Sequence, residues 1–155
     1  MAEPNGKPRV VVASDHAGIE SKKEIVAALS AEGFPVEDLG PETDASVDYP
    51  DYAEMVGEHI TDGSAAFGVL VCGTGTGMMI AANKIPGVRA ALLYDKTSAR
   101  FARLHNDANV AVFGARTMES AQILERLKIF LNESFEGGRH ERRVEKIAMI
   151  ENHRK

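Results

Sequence analysis

The chain has 155 residues, a net charge of −5 and 26% charged residues, the profile of one ordinary globular domain with a sizeable core. This acidity argues against a general nucleic-acid binder, which needs a basic face for phosphate backbones, but not against binding of a small phosphate. One cysteine forms no internal disulfide, and no apolar run approaches the roughly 20 residues that cross a bilayer. The first eight residues, "MAEPNGKP", read as a disordered lead-in without the features of a signal peptide, so a cytoplasmic protein without a membrane partner is expected.

From residue 9 onward, short apolar runs alternate with amphipathic segments. "RVVVAS" (9–14) reads as a buried strand, followed by a helix over about 18–32 that Gly33 stops. "PVEDLG" (35–40) gives a second strand, and a helix over about 49–62 follows, with Pro50 tolerated in its first turn. "AFGVLVC" (66–72) is the most apolar strand. A glycine loop and a short helix, "MMIAANK" (78–84), separate it from a fourth strand, "VRAALLY" (88–94). "KTSARFARLHN" (96–106) reads as helix, "NVAVFG" (109–114) as a fifth strand, and residues 118–135 as a long amphipathic helix. Gly137 and Gly138 break the chain before a last helix over about 139–152.

Near-continuous apolar strands separated by helices imply a parallel sheet covered on both faces. The expected fold is α/β: a single-domain, doubly wound, Rossmann-like three-layer sandwich over 9–155, with five parallel strands and a C-terminal helix. Ligands are expected at the carboxyl ends of the strands. That rule collects Ser14, Asp15 and His16, Cys72 with its glycines, and the residues around Arg116 at one end of the sheet.

Gly73, Gly75 and Gly77 follow a strand and open a helix, a place where backbone amides converge on negative charge. The dinucleotide pattern G-x-G-x-x-G fails, because its last position is Met78 counted from Gly73 and Ile80 counted from Gly75. A P-loop fails for want of Gly-Lys-Ser/Thr, and Asp95, at the end of the next strand, is the only trace of a ribose-binding acid. An anion cradle remains, for a phosphate or for charge that develops during a reaction.

Cys72 stands where the strand ends and the amides begin. Free cysteines are usually buried and inert, yet this environment favours a thiolate able to act as base or nucleophile, and both readings stay open. Asp15 reads equally as a helix cap or a site residue. In "LHNDANV", His105 goes beyond what a turn requires. Arg139 and Arg143, four apart on one helical face, read as a solvated basic face or as a phosphate clamp that Arg116 could join. Histidines and carboxylates lack the spacing of a metal site, so no metal is expected.

"SDHAG", "DYPDYA", "VCGTGTGMMIAANK", "LHNDANV", "VFGAR" and "EGGRHERRVEKI" resemble, in content and order, the ribose-5-phosphate isomerase B family and its sugar-phosphate isomerase relatives. The resemblance covers nearly the whole chain. It implies an aldose–ketose isomerase that works through an enediolate without a cofactor. Cys72 would be the base between C2 and C1 and Thr74 would assist proton exchange between the oxygens, with backbone amides across Gly73, Gly75 and Gly77 holding the enediolate oxygen. Ring opening and hydroxyl contacts would fall on Asp15, His105 and Asn106, with Tyr49 lining the site. Phosphate contacts would fall on His16, Arg116, Arg139 and Arg143. The resemblance further implies a homodimer or tetramer with its site between subunits, the partner supplying His105, Asn106 and Arg116. One branch of the family has a glutamate after the last loop glycine in place of the cysteine. Met78 stands there and Cys72 is kept, so the resemblance is to the cysteine branch. Thr76 occupies a position where an aliphatic residue is frequent. The substrate implied is a phosphorylated pentose, D-ribose 5-phosphate, with a hexose phosphate such as allose or galactose 6-phosphate as alternative. A non-catalytic sugar-phosphate binder is the reading from another class.

Overall fold

The computed structural model describes residues 5–153. Five strands, β1 (Val10–Ser14), β2 (Val36–Asp38), β3 (Phe67–Cys72), β4 (Ala90–Leu92) and β5 (Val110–Gly114), form one sheet in the order β2-β1-β3-β5-β4. Every pairing is parallel, as expected. Six helices accompany them: α1 (Ile19–Ala31), α2 (Tyr49–Thr61), α3 (Thr76–Ala82), α4 (Lys96–Leu104), α5 (Ser120–Asn132) and α6 (Arg139–Asn152). A 3-10 turn, His16–Gly18, links β1 to α1.

Strand alternation builds the two faces. Val10, Val12, Val69, Val71, Ala111 and Phe113 pack against Ile25 and Leu29 of α1, Ala99 and Ala102 of α4, and Ile123, Leu127 and Phe130 of α5. Val11, Ala13, Leu70, Cys72, Val110 and Val112 point the other way, onto Ala53 and Val56 of α2 and Met78 and Ala82 of α3. Because β1, β3 and β5 are covered on both sides, they carry apolar residues at successive positions. Cys72, the last residue of β3, therefore points to the α2–α3 face.

The outer strands are shorter than the sequence runs suggested. β2 and β4 hold three residues each, because each pairs with one neighbour and the flanking residues leave the ladder. The short helix begins at Thr76, two residues before its apolar run, with Gly75 as its left-handed N-cap at φ +84°. Asp95 caps α4: its carboxylate accepts from the Ser98 amide at 2.6 Å, and the Ser98 hydroxyl accepts from the Asp95 amide at 3.1 Å. The Ser98 amide holds the Asp95 carboxyl below its ordinary range. This residue, considered above as a trace of a ribose-binding site, serves helix geometry.

Of the expected lead-in, residues 1–4 lie outside the described residues. Asn5 and Lys7 donate to the carbonyls of Gly33 and Glu32 at the end of α1, and the Lys7 ammonium stands 4.4 Å over the Phe34 ring. Among the described residues, no helix is long and apolar enough to cross a membrane.

Between β2 and α2 the chain runs irregularly over the carboxyl end of the sheet, and a buried lysine fixes it. Lys22, 1% exposed, donates to the Pro41 carbonyl at 2.6 Å and pairs with Asp38 Oδ1 at 2.9 Å. Lys22→Met leaves that carbonyl without its donor, while exposed Asp38 keeps its water. The expected loss of stability is about 1–3 kcal/mol by urea denaturation, and a change under about 0.5 kcal/mol would show that the ammonium is not a strut.

Candidate active site

The sheet order sends the chain from β1 outward to β2 and back to β3 on the opposite side. A crevice therefore opens between the carboxyl ends of β1 and β3, where ligands collect in folds of this type. Register makes these ends level: Ser14 sits opposite Val71, and Cys72 opposite Gly114. Asp15 and His16, the loop after Cys72, and Arg116 are thus brought together.

Cys72 is 5% exposed, and its sulfur accepts from the Gly75 amide at 3.2 Å. Only a residue without a side chain fits at Gly75. Besides its positive φ, a Cβ there would lie 2.5 Å from Leu92 Cδ1 and 3.1 Å from the Phe113 carbonyl. The Gly75 carbonyl accepts from the Met79 amide at 3.0 Å, the first hydrogen bond of α3. Among the described residues the amides of Gly77 and Met78 donate to no protein acceptor, as expected for a helix's first turn. Thr74 is exposed beside them, and its hydroxyl accepts from the Thr76 amide at 3.3 Å. The absent side chain at Gly77 admits Tyr49, whose ring atoms would lie 2.7–3.1 Å from a Cβ there. The loop is a set of free donors beside a sulfur, walled by one phenol ring.

Asp15 is 7% exposed and uses Oδ1 to accept from the amides of Ala17 and Gly18 at 2.9 and 3.1 Å. Capping leaves its second oxygen without a protein donor among the described residues. His16 Nδ1 accepts from the Val47 amide at 3.3 Å, so the neutral ring carries its proton on Nε2 and offers a donor. Arg116 departs from what the resemblance implied. Its amide donates to the Gly73 carbonyl at 2.8 Å, and its Nη1 would stand 3.3 Å from a Cβ at Gly73. It belongs with this chain's own Cys72, because β5 pairs directly with β3.

The remaining candidates lie elsewhere. α4 runs back to the amino end of the sheet, and His105 and Asn106 follow it, before β5 begins. Four residue steps of β5, about 13 Å, separate that end from the level of Cys72. One chain therefore carries two groups: Asp15, His16, Tyr49, Cys72, the glycine loop and Arg116 at the carboxyl end, and His105 with Asn106 at the amino end.

The second group includes α6. The rings of Phe101, His105 and His140 form a stack, with centroids 4.4 and 4.0 Å apart. Arg139 and Arg143 flank His140 and are exposed. Burial, then the charges of His105 and Arg139, push the His140 imidazole below its ordinary range. The turn that presents His105 and Asn106 passes through Asp107, the one non-glycine residue with positive φ (+47°) among the described residues. Two arginines brace it: Arg103 Nη1 meets Oδ1 at 2.9 Å and Arg89 Nη2 meets Oδ2 at 3.3 Å, while Arg89 Nε donates to the Asp107 carbonyl at 2.8 Å. Sequence reasoning missed this brace and the part of Glu136, whose amide donates to the Leu104 carbonyl at 3.0 Å. The four-residue spacing of Glu136 and His140 was the available signal. On the outer side, Ile147 and Ile150 of α6 are exposed at 45% and 55% and line a cleft of about 440 Å³ with Val88 and Ala90.

The doubly wound sheet, with a cysteine beside a glycine loop at its carboxyl end, defines the α/β class, and comparison defines the family. Residues 10–147 match the family described as Ribose/Galactose Isomerase. Ribose-5-phosphate isomerase B of Escherichia coli is 41% identical over 148 residues, covering 94% of this chain and 98% of that protein. The structure of ribose-5-phosphate isomerase B from Clostridium thermocellum superposes with a TM-score of 0.93 at 41% identity, covering 95% and 99% of the two chains. That from Mycoplasma genitalium, with bound ribulose-5-phosphate, gives 0.90 at 42% identity, covering 93% and 96%. The chain belongs to the Ribose/Galactose Isomerase family.

Gly75→Ala tests the loop geometry. The left-handed backbone and the contacts with Leu92 and Phe113 predict a loss of at least about 1–2 kcal/mol, with turnover falling further than stability explains. A variant with unchanged Tm and turnover would show that the loop tolerates a side chain and that its geometry is not required.

Proposed function

We propose that the protein interconverts D-ribose 5-phosphate and D-ribulose 5-phosphate through an enediolate, with Cys72 as the base. The carrying observation is the sulfur held by the Gly75 amide, beside the unpaired amides of Gly77 and Met78. Abstraction of the C2 proton by a thiolate moves the C–H electron pair into a C1–C2 double bond and places negative charge on O1. Donors already oriented stabilise that charge without reorganising. The exposed Thr74 hydroxyl would pass a proton between the two oxygens, and return of the proton from sulfur to C1 completes the ketose. No organic cofactor or metal is required, since the amides take the oxyanion. The names of the relatives favour a pentose phosphate over a hexose phosphate.

The same reading brings the two groups together from two copies of the chain. His16 and Arg116 of one copy, with Arg139 and Arg143 of the other, would hold the phosphate. His105 and Asn106 of the second copy would face Cys72 of the first and open the sugar ring. Three features support this: the separation of the groups within one chain, the exposed arginines of α6, and its exposed Ile147, Met149 and Ile150. Such apolar residues on a helix are what a subunit interface covers. Phosphate binding away from the reacting carbons supplies energy that positions C1 and C2 against the sulfur.

Cys72→Ala is expected to lose isomerisation of ribose 5-phosphate, by a factor of about 10² or more, while still binding it, and EDTA is expected to leave the wild type unaffected. Binding is read by calorimetry and turnover by the appearance of ribulose 5-phosphate. Near-normal turnover in the alanine variant would remove Cys72 from the role of base.

A further inference from the structure

We propose that His105, Glu136 and His140 form a binding site for a divalent transition-metal cation of the zinc type, and that the bound cation withholds His105 from the reaction. The second half rests on the function proposed above, whereas the first stands without it.

The donor atoms of these three residues all lie within 4.8 Å of one another. His105 Nε2 and His140 Nε2 both face the same oxygen, Glu136 Oε2, at 3.5 and 4.0 Å. Those separations exceed the 2.7–2.9 Å of a charge-assisted hydrogen bond. Glu136 therefore closes a hydrogen bond with neither ring, and among the described residues neither ring makes one elsewhere. The His140 side chain is 9% exposed, and its ring nitrogens have no protein hydrogen-bond partner among the described residues.

Two imidazoles and one carboxylate are a recurrent zinc set, which leaves a fourth position open. At zinc–ligand distances of about 2.0–2.1 Å, tetrahedral geometry places ligand atoms about 3.3–3.4 Å apart. Closing from the present spacing takes less than about 1.5 Å for any pair. The rings are nearly parallel, 12° apart, and a metal must lie in the plane of each ring it binds. One ring must then tilt out of the stack. The ring that can do so is His105, 32% exposed, while Glu136, 60% exposed, follows the cation. Binding thus turns His105 and occupies its Nε2 together, which is why cation and reaction compete for one residue. Arg139 and Arg143 oppose a cation here and weaken the site, but both are exposed and screened by salt.

The test titrates the full-length protein with Zn²⁺ against a chromophoric chelator, and with Co²⁺ by visible absorption. One Zn²⁺ per chain is expected, with isomerase activity falling in step with occupancy and returning on addition of EDTA. Co²⁺ should show the intense d–d bands of a four-coordinate site. Glu136→Gln and His140→Gln should each weaken Zn²⁺ binding by more than about tenfold, and the exposed position of Glu136 keeps the first variant folded. Cys72→Ala should leave the affinity unchanged. Affinity that survives both Glu136→Gln and His140→Gln, or that depends on Cys72, would overturn the site. Zn²⁺ binding weakened by those variants but without effect on turnover would overturn the withholding of His105 alone. An inactive wild type would count against the proposed isomerase, while the chelator and Co²⁺ readings would still decide the site.

Discussion

Parallel pairing of β1, β3 and β5 at one register is the constraint on which the rest depends. Ser14 opposite Val71 and Cys72 opposite Gly114 bring three strand ends to one level. Each following loop then delivers its polar residues to the same crevice: Asp15 and His16, the glycine loop, and Arg116. The register itself follows from burial. A slip of one residue would turn Val69 and Val71 toward α2 and Leu70 and Cys72 toward α1. Cys72 would then leave the face on which α3 begins, and its sulfur would lose the Gly75 amide.

The glycines turn that placement into chemistry. Gly75 accepts a left-handed backbone in a space too small for a side chain, and Gly77 makes room for Tyr49. A dinucleotide loop uses its glycines to approach a pyrophosphate that stays bound. Here the Gly75 amide donates to a sulfur, and the amides of Gly77 and Met78, without a protein acceptor among the described residues, suit charge that is present only while a substrate reacts. The proposed isomerisation needs no more from the backbone.

Much of this was legible in the sequence. Consecutive apolar residues in β1 and β3 mean strands covered on both faces, so the parallel sheet followed. The strand-end rule then gathered Asp15, Cys72 and Arg116 without any knowledge of the fold. The ends of β2 and β4 were not legible, because an edge strand stops where pairing stops, and pairing is a tertiary fact. The Lys22 strut and the Arg89 half of the Asp107 brace were hidden for a related reason, since each joins residues sixteen or more apart in sequence, around one buried charge and one strained turn. The side to which Arg116 belongs was decided by the neighbours β3 and β5, and strand order cannot be read from apolar runs.

His105 is the residue at which these lines meet. It lies at the far end of the sheet from Cys72, it stacks on the helix that carries Arg139 and Arg143, and it shares Glu136 with His140. The proposed function requires it to act on a second copy of the chain. The direct test is to co-express Cys72→Ala and His105→Ala chains, each inactive alone. A site shared between copies predicts about one quarter of wild-type activity from a random mixture, since half the dimers are mixed and each of these holds one intact site. No recovery from mixed dimers of confirmed composition would contradict the account and place the whole reaction within a single chain.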